Sequence, residues 1–266
     1  MSPSPNDLLP MLIMLCRSTG NRIVEIYNGN FEIEHKSDMT PVTCADIAAS
    51  SALVSGLEMI TPHIPVLSEE MVAVPFETRR QWQRYWLIDP IDGTREFINR
   101  TGEFTINIAL IENNKPILGV VYAPIIEVCY YATQNNGAFK LTNQQESQRL
   151  QVRACDEQTT VVAVGRCGTP PEFKAYVDKL HAPHLIKIGS SLKPCIIAEG
   201  SADIYPRFGP TSEWDTAAAQ CILEEAGGSI TDFNLQPLRY NTKESLLNPN
   251  FLAFGDTAQD WKKHLT

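Results

Sequence analysis

The sequence predicts a protein of mixed class, in which an antiparallel-rich α+β half is followed by an α/β half. Between residues 105 and 141, short apolar runs follow one another across polar turns, which is typical of an antiparallel sheet. Between residues 161 and 226, apolar runs alternate with helical patterns. A polar stretch without periodicity, residues 142–148, separates the two patterns. We therefore divide the chain into residues 1–148 and 149–266 and expect the functional site in the cleft between them.

Two amphipathic helices are predicted at the start of the chain. The first has apolar residues at helical spacing over residues 8–27, and either Asn6 or Asp7 is its expected cap. A strand is expected at residues 31–34, and a second helix at residues 45–60. Asp46 lies in the first turn of that helix, where a carboxylate complements the helix dipole.

The remaining elements follow in chain order. Residues 71–84 are polar and charged and are predicted to form a loop. Strands are predicted at residues 64–67, 85–88, 105–111, 117–122, 128–132, 138–141, 161–164, 185–188 and 202–205. Helices are predicted at residues 171–180, 192–198 and 214–226, and Gly227-Gly228 is expected to end the last of them.

Composition excludes several classes of protein. The net charge is −9, whereas a nucleic-acid surface needs a basic stripe, so no polymeric nucleic acid is expected as a partner. Seven scattered cysteines without a C-x-x-C pair are typical of a reducing cytosol. We expect no leader peptide, because residues 1–10 lack a basic start and contain three prolines. We expect no membrane-spanning segment, because no apolar run reaches about 18 residues. His181-x-x-His184 has no further ligand nearby and is interpreted as a surface loop.

An apolar run leads directly into two carboxylates in the segment Tyr85-Trp86-Leu87-Ile88-Asp89-Pro90-Ile91-Asp92-Gly93-Thr94. Its apolar residues predict a buried strand, and Pro90 is expected to stop it because proline has no N–H for the ladder. Asp89 would then lie at the strand end, with Asp92 brought close by the turn at Gly93. Two ionised carboxylates repel each other unless they share a proton or bind a cation. The segment alone is also compatible with a polar turn in which the aspartates are caps.

Two further motifs distinguish these interpretations. Ser68-Glu69-Glu70 follows a predicted strand, and Trp214-Asp215 opens an alanine-rich helix. The three motifs, in this order over about residues 41–254, resemble the inositol monophosphatase superfamily. The resemblance implies a layered αβαβα sandwich and a lithium-sensitive, Mg2+-dependent phosphatase with two or three ions.

The resemblance also implies roles for individual residues. The expected metal ligands are Glu69, Asp89, the Ile91 carbonyl, Asp92 and Asp215. Thr94 would act beside the attacking water and Asp46 would orient it, which makes Asp46, Thr94 and Glu69 the expected catalytic residues. The expected substrate contacts are Glu69, Ile91, Asp92, Gly93, Thr94, Ser190, Lys193, Arg207 and Asp215.

Ser190, Lys193 and Arg207 are similar to residues of the 3′(2′),5′-bisphosphate nucleotidase branch of that superfamily. This branch implies hydrolysis of adenosine 3′,5′-bisphosphate, or of its sulfated analogue, during sulfate assimilation in the cytoplasm or at the inner face of the membrane. The branch usually carries Ser-Arg-Ser-His where this chain has Gly165-Arg166-Cys167-Gly168. Contacts to the base or ribose at the lost serine and histidine positions are therefore not carried over.

Other functions stay open at this point. An inositol monophosphatase or a fructose 1,6-bisphosphatase would share the metal chemistry, and a metal-dependent phosphate-binding module without catalysis would share the acids. Ser190-Ser191-Leu192-Lys193 contains the S-x-x-K of serine acyl-transferases, but the chain lacks the accompanying S-D-N and K-T-G. The oligomeric state, including a homodimer, also stays open.

Overall fold

The computed structural model describes residues 3–29, 33–35, 41–142, 146–156, 158–166 and 168–265. The α-helices in these ranges are α1 (Pro5–Asn28), α2 (Cys44–Ile60), α3 (Phe76–Arg79), α4 (Thr94–Ile98), α5 (Pro171–Val177), α6 (Leu192–Ala198) and α7 (Glu213–Glu225). A 3-10 helix covers Trp261–His264.

The strands form a small ribbon and two larger sheets. The ribbon pairs β1 (Ile33–His35) with β2 (Pro41–Thr43). The first sheet contains, in this spatial order, β3 (Val66–Ser68), β4 (Arg84–Asp92), β5 (Thr105–Glu112), β6 (Lys115–Ala123), β7 (Val128–Thr133), β8 (Ala138–Leu141) and β9 (Gln148–Arg149). The second contains β11 (His184–Lys187), β10 (Val161–Val164), β12 (Ile204–Arg207), β14 (Phe251–Phe254) and β13 (Ser229–Asp232).

Helices and sheets alternate in five layers. Helices α1 and α2 bury their apolar faces on one side of the first sheet, around Trp86 and Ile108. Helices α6 and α7 fill the space between the two sheets. Helix α5 and Trp261 cover the outer side of the second sheet. The predicted αβαβα sandwich is thus confirmed, with an antiparallel-rich first sheet and a mixed second one.

The middle layer packs very closely on the first sheet. Helix α7 carries three consecutive buried alanines, and Gly119 of β6 lies directly beneath them. A Cβ atom placed on Gly119 would be 2.2 Å from the Ala218 carbonyl oxygen. Only a residue without a side chain allows the helix backbone to approach the strand this closely.

Most predicted elements are confirmed within a few residues, but the cap of α1 is different. Ser4, and not Asn6 or Asp7, is the N-cap, and its hydroxyl oxygen accepts a hydrogen bond from the Asp7 N–H. The Asp7 carboxylate in turn accepts a hydrogen bond from the Ser4 N–H, which completes a capping box. Pro5 opens the helix, where its missing N–H costs nothing.

The expected end of β4 is also wrong. The strand continues through Pro90 to Asp92, with a register shift between Asp89 and Asp92 in its pairing with β5. Pro90 lies in this irregularity, where a missing N–H breaks no regular ladder bond. Asp89 is therefore the last regularly paired residue, opposite Asn107, rather than the last residue of the strand.

Several elements depart from the prediction in smaller ways. The expected loop at residues 71–84 contains the short helix α3, and strands β13 and β14 were not predicted. The predicted strand at 31–34 and the polar stretch at 142–148 lie partly outside the described residues. A two-residue turn joins β5 and β6 in a hairpin, and Asn113 and Asn114 both take positive φ values in it.

Candidate active site

Both predicted halves contribute to one cleft. A cavity of about 210 Å³ lies in it, open to solvent. The residues after β4 form one wall, and the other comes from the segments around residues 165, 190, 207 and 215. The cavity is lined by Asp92, Gly93, Arg95, Glu96, Gly165, Arg166, Ser190, Ser191, Lys193, Pro194, Tyr205, Arg207, Thr211, Asp215, Thr216 and Phe251.

Three carboxylates meet at this cleft. Glu69, Asp89 and Asp215 each offer an oxygen, and these oxygens all lie within 4.8 Å of one another. Strands β3 and β4 are parallel, with Ser68 opposite Ile88, so Glu69 and Asp89 follow paired residues at the same edge of the sheet. Asp215 comes from the other half, in the first turn of α7.

Burial and mutual repulsion make this cluster unfavourable for ionised groups. Asp89 is almost fully buried, and loss of hydration raises its pKa well above the usual value. The charges of Glu69, Asp92, Asp215 and Asp46 raise the pKa of Asp89 further. The pKa of Asp215 is raised by burial first and then by Asp92.

The donor set fits a divalent cation. Carboxylate and carbonyl oxygens are the ligands that Mg2+ prefers, and a cation would offset the repulsion that raises these two pKa values. Among the described residues, Asp89 accepts a hydrogen bond from the Ile91 N–H at 3.0 Å and makes no ion pair with a lysine or arginine. Positive charge at this point is thus left for a ligand to supply.

Asp92 is held by the opposite wall of the cleft. Its Oδ2 lies 2.7 Å from the Ser190 hydroxyl and 2.6 Å from the Ser191 hydroxyl. The Ser191 hydroxyl is also 2.8 Å from the Asp215 carbonyl oxygen. Ser190, expected from the sequence to contact substrate, thus has its hydroxyl directed towards Asp92 and, at 2.6 Å, towards Thr105.

Asp46 and Thr94 also come together. The Asp46 carboxylate completes a capping box, since its Oδ2 accepts bonds from the Thr43 N–H at 2.8 Å and from the Thr43 hydroxyl at 2.6 Å. Its Oδ1 lies 3.4 Å from the Thr94 hydroxyl, which is 3.5 Å from the Ile91 carbonyl oxygen. Both distances are long for hydrogen bonds made by a hydroxyl group. Gly93 makes the turn to Thr94 with a φ of +90°.

Four cationic side chains line the cavity around the acids. Lys193 is nearly buried, with Nζ donating to the Ser190 carbonyl oxygen and lying 5.3 Å from the centre of the Tyr205 ring. Arg207 donates to the Pro210 carbonyl oxygen at 3.0 Å, and its Nε is buried without a hydrogen-bond partner among the described residues. Arg95 and Arg166 complete the set.

Sequence reasoning missed several residues that position the site. Thr105 and Asn107 lie on β5, in the part of the strand that is otherwise apolar up to Ile111, and both reach across the cleft. The Asn107 amide donates to the Ser191 hydroxyl at 2.8 Å. Polar residues at alternate positions of a buried strand need partners, and that was the available signal. His181 and His184 are exposed and belong to no metal-binding group among the described residues.

Comparison with known proteins places the chain among relatives over nearly its whole length. A model of the inositol monophosphatase family matches residues 5–265. The 3′(2′),5′-bisphosphate nucleotidase CysQ of Salmonella typhimurium is 47% identical over 92% of this chain and 98% of that protein. The CysQ of Haemophilus influenzae is 39% identical over 96% of this chain and 95% of that protein.

Solved structures agree with the sequence comparisons. CysQ from Bacteroides thetaiotaomicron superposes with a TM-score of 0.78 at 36% identity, covering 91% of this chain and 96% of that one. An inositol monophosphatase from Thermotoga maritima superposes with a TM-score of 0.81 at 26% identity, covering 97% of this chain and 96% of that one.

Proposed function

This chain belongs to the inositol monophosphatase family, and we propose that it is an Mg2+-dependent phosphatase that removes the 3′-phosphate of adenosine 3′,5′-bisphosphate, giving AMP and phosphate. This proposal rests mainly on one observation: Glu69, Asp89 and Asp215 meet at a cleft whose lining also includes four cationic side chains. An acid cluster next to positive side chains suits a ligand that brings metal ions and phosphate together.

The residues that would hold Mg2+ are Glu69, Asp89, Asp92, Asp215 and the carbonyl of Ile91, for two or three ions. When bound, Mg2+ would neutralise the charge of the phosphate and lower the pKa of water at the site. The serine hydroxyls opposite Asp92 and the Ile91 N–H at Asp89 orient these carboxylates before any ion binds.

Thr94, Asp46 and Glu69 are the catalytic residues of this proposal. The capping box fixes the Asp46 carboxylate so that its second oxygen faces the Thr94 hydroxyl. The Thr94 hydroxyl would donate a hydrogen bond to Asp46, so that its oxygen accepts a hydrogen bond from the attacking water and orients it. Glu69, which lies beside Asp89, would accept the proton that the attacking water loses.

The cations support the choice of a bisphosphorylated nucleotide. Bound metal ions would hold the phosphate that is cleaved, while Lys193 and Arg207, which line the cavity, would bind a second phosphate or the sugar. The curated relatives at 39–47% identity are named as 3′(2′),5′-bisphosphate nucleotidases. The halves at residues 1–148 and 149–266 would then form one catalytic unit, because each supplies part of the acid cluster.

A substrate panel tests the proposal. Phosphate release is measured with adenosine 3′,5′-bisphosphate, its sulfated analogue, inositol 1-phosphate and fructose 1,6-bisphosphate, with Mg2+ and with EDTA. The bisphosphonucleotide should have the highest kcat/KM, with no turnover in EDTA and inhibition by lithium. A higher kcat/KM for inositol 1-phosphate, or full turnover in excess EDTA, would refute the proposal.

The proposed reaction also defines a cellular context. Adenosine 3′,5′-bisphosphate arises in sulfate assimilation, so the enzyme would act in the cytoplasm, or on the inner face of the membrane, on a small molecule. No helix among the described residues is long and apolar enough to cross a membrane. Light scattering of the purified protein would decide between a monomer and a homodimer.

A further inference from the structure

Glu103 joins the two walls of the cleft and has no role in the functions assigned so far. It lies in the loop before β5 and is mostly buried. Its carboxylate forms a fork with the Arg166 guanidinium, both oxygen–nitrogen distances being 2.5 Å. It also accepts a hydrogen bond from the Gly189 N–H at 2.8 Å. One carboxylate of the first half therefore holds two segments of the second half at the rim of the cavity.

Two glycines near Arg166 in the chain pack loosely. A Cβ atom on Gly165, which precedes Arg166, or on Gly168, two residues after it, would find nothing within 4 Å. Among the described residues, Glu103 is the hydrogen-bond partner of the Arg166 side chain. The direction of this guanidinium is thus set from the opposite wall of the cleft.

Arg166 keeps donors for a ligand. A guanidinium has five N–H groups, of which Glu103 takes one on Nε and one on Nη2, leaving three. Arg166 is 40% exposed and lines the cavity. The other cations are more occupied, since Lys193 is nearly buried against the Ser190 carbonyl and Arg207 donates to Pro210.

We propose that Arg166 contributes a further contact to the phosphate that is not cleaved, beside Lys193 and Arg207 in the same cavity, and that Glu103 is the positioning residue that holds Arg166 in place. This inference rests on the proposed function, which supplies a substrate with a second phosphate. A guanidinium presents paired donors that match two phosphate oxygens, whereas a lysine acts as a point charge. A carboxylate behind the guanidinium fixes the plane of that fork before the ligand arrives.

Glu103 has two opposing effects on the affinity for an anionic ligand. Its charge repels a phosphate, but the guanidinium lies between them and solvent screens the repulsion. Its two bonds also remove freedom from an arginine side chain, which has one of the largest rotamer entropies. We expect the second effect to dominate, so the loss of Glu103 should weaken phosphate binding.

The test compares AMP with adenosine, which differ by the 5′-phosphate. Affinities are measured by calorimetry on protein without added metal, in which the acid cluster repels phosphate. In Arg166→Ala and in Glu103→Gln, the Kd for AMP should rise about tenfold, the loss of one charge-assisted contact, while the Kd for adenosine stays unchanged. Arg166→Lys keeps the charge and loses the fork, so it should fall between wild type and Arg166→Ala.

A double variant identifies how Glu103 acts. If Glu103 works through Arg166, the double variant should bind AMP no more weakly than Arg166→Ala. Glu199→Gln is the matched control, because Glu199 forms a half-buried ion pair with Lys140 outside the cleft and should leave both affinities unchanged. Melting temperatures verify that each variant is folded.

Three results would overturn the inference: tighter or unchanged AMP binding in Glu103→Gln, additive losses in the double variant, or equal losses for AMP and adenosine. Should Glu103→Gln fail to fold, unchanged AMP binding in Arg166→Ala overturns it equally. Turnover of adenosine 3′,5′-bisphosphate by the wild-type protein is a separate readout. If the wild-type protein does not turn over this substrate but the variants still bind AMP more weakly, the proposed function alone is refuted. If it turns over the substrate but the variants bind AMP as wild type does, this inference alone is refuted.

Discussion

Asp89 and Asp203 are buried to the same extent, 2% and 1% exposed, yet their surroundings are opposite. Asp203 accepts two hydrogen bonds of 2.8 Å from the Arg153 guanidinium and one of 2.6 Å from the Val161 N–H. Asp89 instead faces other carboxylates and accepts one backbone bond. The fold thus pairs a buried acid where the acid is structural. Crowded, unpaired acids cost stability when no cation is bound, which is what we expect of the proposed metal site.

The strongest test of this comparison makes the same change at both aspartates. Asp89→Asn should lower kcat/KM at fixed Mg2+ by at least about a hundredfold, because an amide is a poor ligand for Mg2+. In EDTA the same variant should melt at a higher temperature than wild type, since one repelling charge is gone. Asp203→Asn should melt at a lower temperature than wild type, because its unfolding free energy falls by about 1–3 kcal/mol, and it should retain catalysis. Loss of stability in both variants would contradict the comparison.

A second test concerns the cationic wall. Lys193→Ala should reduce kcat/KM for adenosine 3′,5′-bisphosphate about ten- to a hundredfold and affect a simple monophosphate ester much less, because only the first has a second phosphate. Lys174→Ala, at an exposed i,i+4 ion pair, is the control. Equal losses for both esters would place Lys193 near the cleaved phosphate or give it a structural role.

Mg2+ itself should reverse the instability of the acid cluster. An ion that binds only the folded state stabilises it by about 2.7 kcal/mol at a hundred times its Kd. We therefore expect the melting temperature of wild type to rise with Mg2+ concentration and that of Asp89→Asn to rise far less. A melting temperature that is independent of Mg2+ would exclude these acids as a metal site.

Glu213 is intermediate between the paired Asp203 and the crowded Asp89, and we expect its substitution to have the smallest effect on stability. Its Oε2 accepts the Asn241 N–H at 2.7 Å and Lys243 lies 3.6 Å from Oε1, but burial still raises the pKa from 4.5 to about 7. Because the folded protein holds this proton more tightly, stability should fall as pH rises from about 4.5 to 7 and then level off. Glu213→Gln should abolish this pH dependence, which amounts to at most roughly 3 kcal/mol of unfolding free energy. Parallel stability curves for both proteins between these pH values would contradict it.

The local patterns of the sequence predicted the helices and the first sheet well. The apolar face of α1, the asparagine turn between β5 and β6, and the alanine-rich helix α7 are all fixed by residues close in the chain. Pro90 misled the prediction because a bulge tolerates a proline that a regular ladder would reject. Strand β13 has one strongly apolar residue, Ile230, among Ser229, Thr231 and Asp232, so it gives no apolar signal of its own.

The candidate site was less accessible to sequence reasoning. The acid motifs stand out because each follows or opens a regular element, and the structure brings Glu69, Asp89 and Asp215 together. Glu103 carries no such signal, since its partners Arg166 and Gly189 lie 63 and 86 residues away. Such pairs depend on how the two walls face each other, which local patterns do not encode.

The close approach of α7 to the first sheet has a consequence for the choice of ion. Asp89 is carried by the sheet and Asp215 by the helix, so the gap between these two acids is set by the spacing of two layers. That spacing depends on Gly119, where any side chain would collide with the Ala218 carbonyl. Mg2+ demands oxygen atoms at about 2.0–2.1 Å, whereas Ca2+ accepts about 2.3–2.6 Å. If these acids hold Mg2+, Gly119, which lies outside the acid cluster, would help to set the spacing that favours the smaller ion.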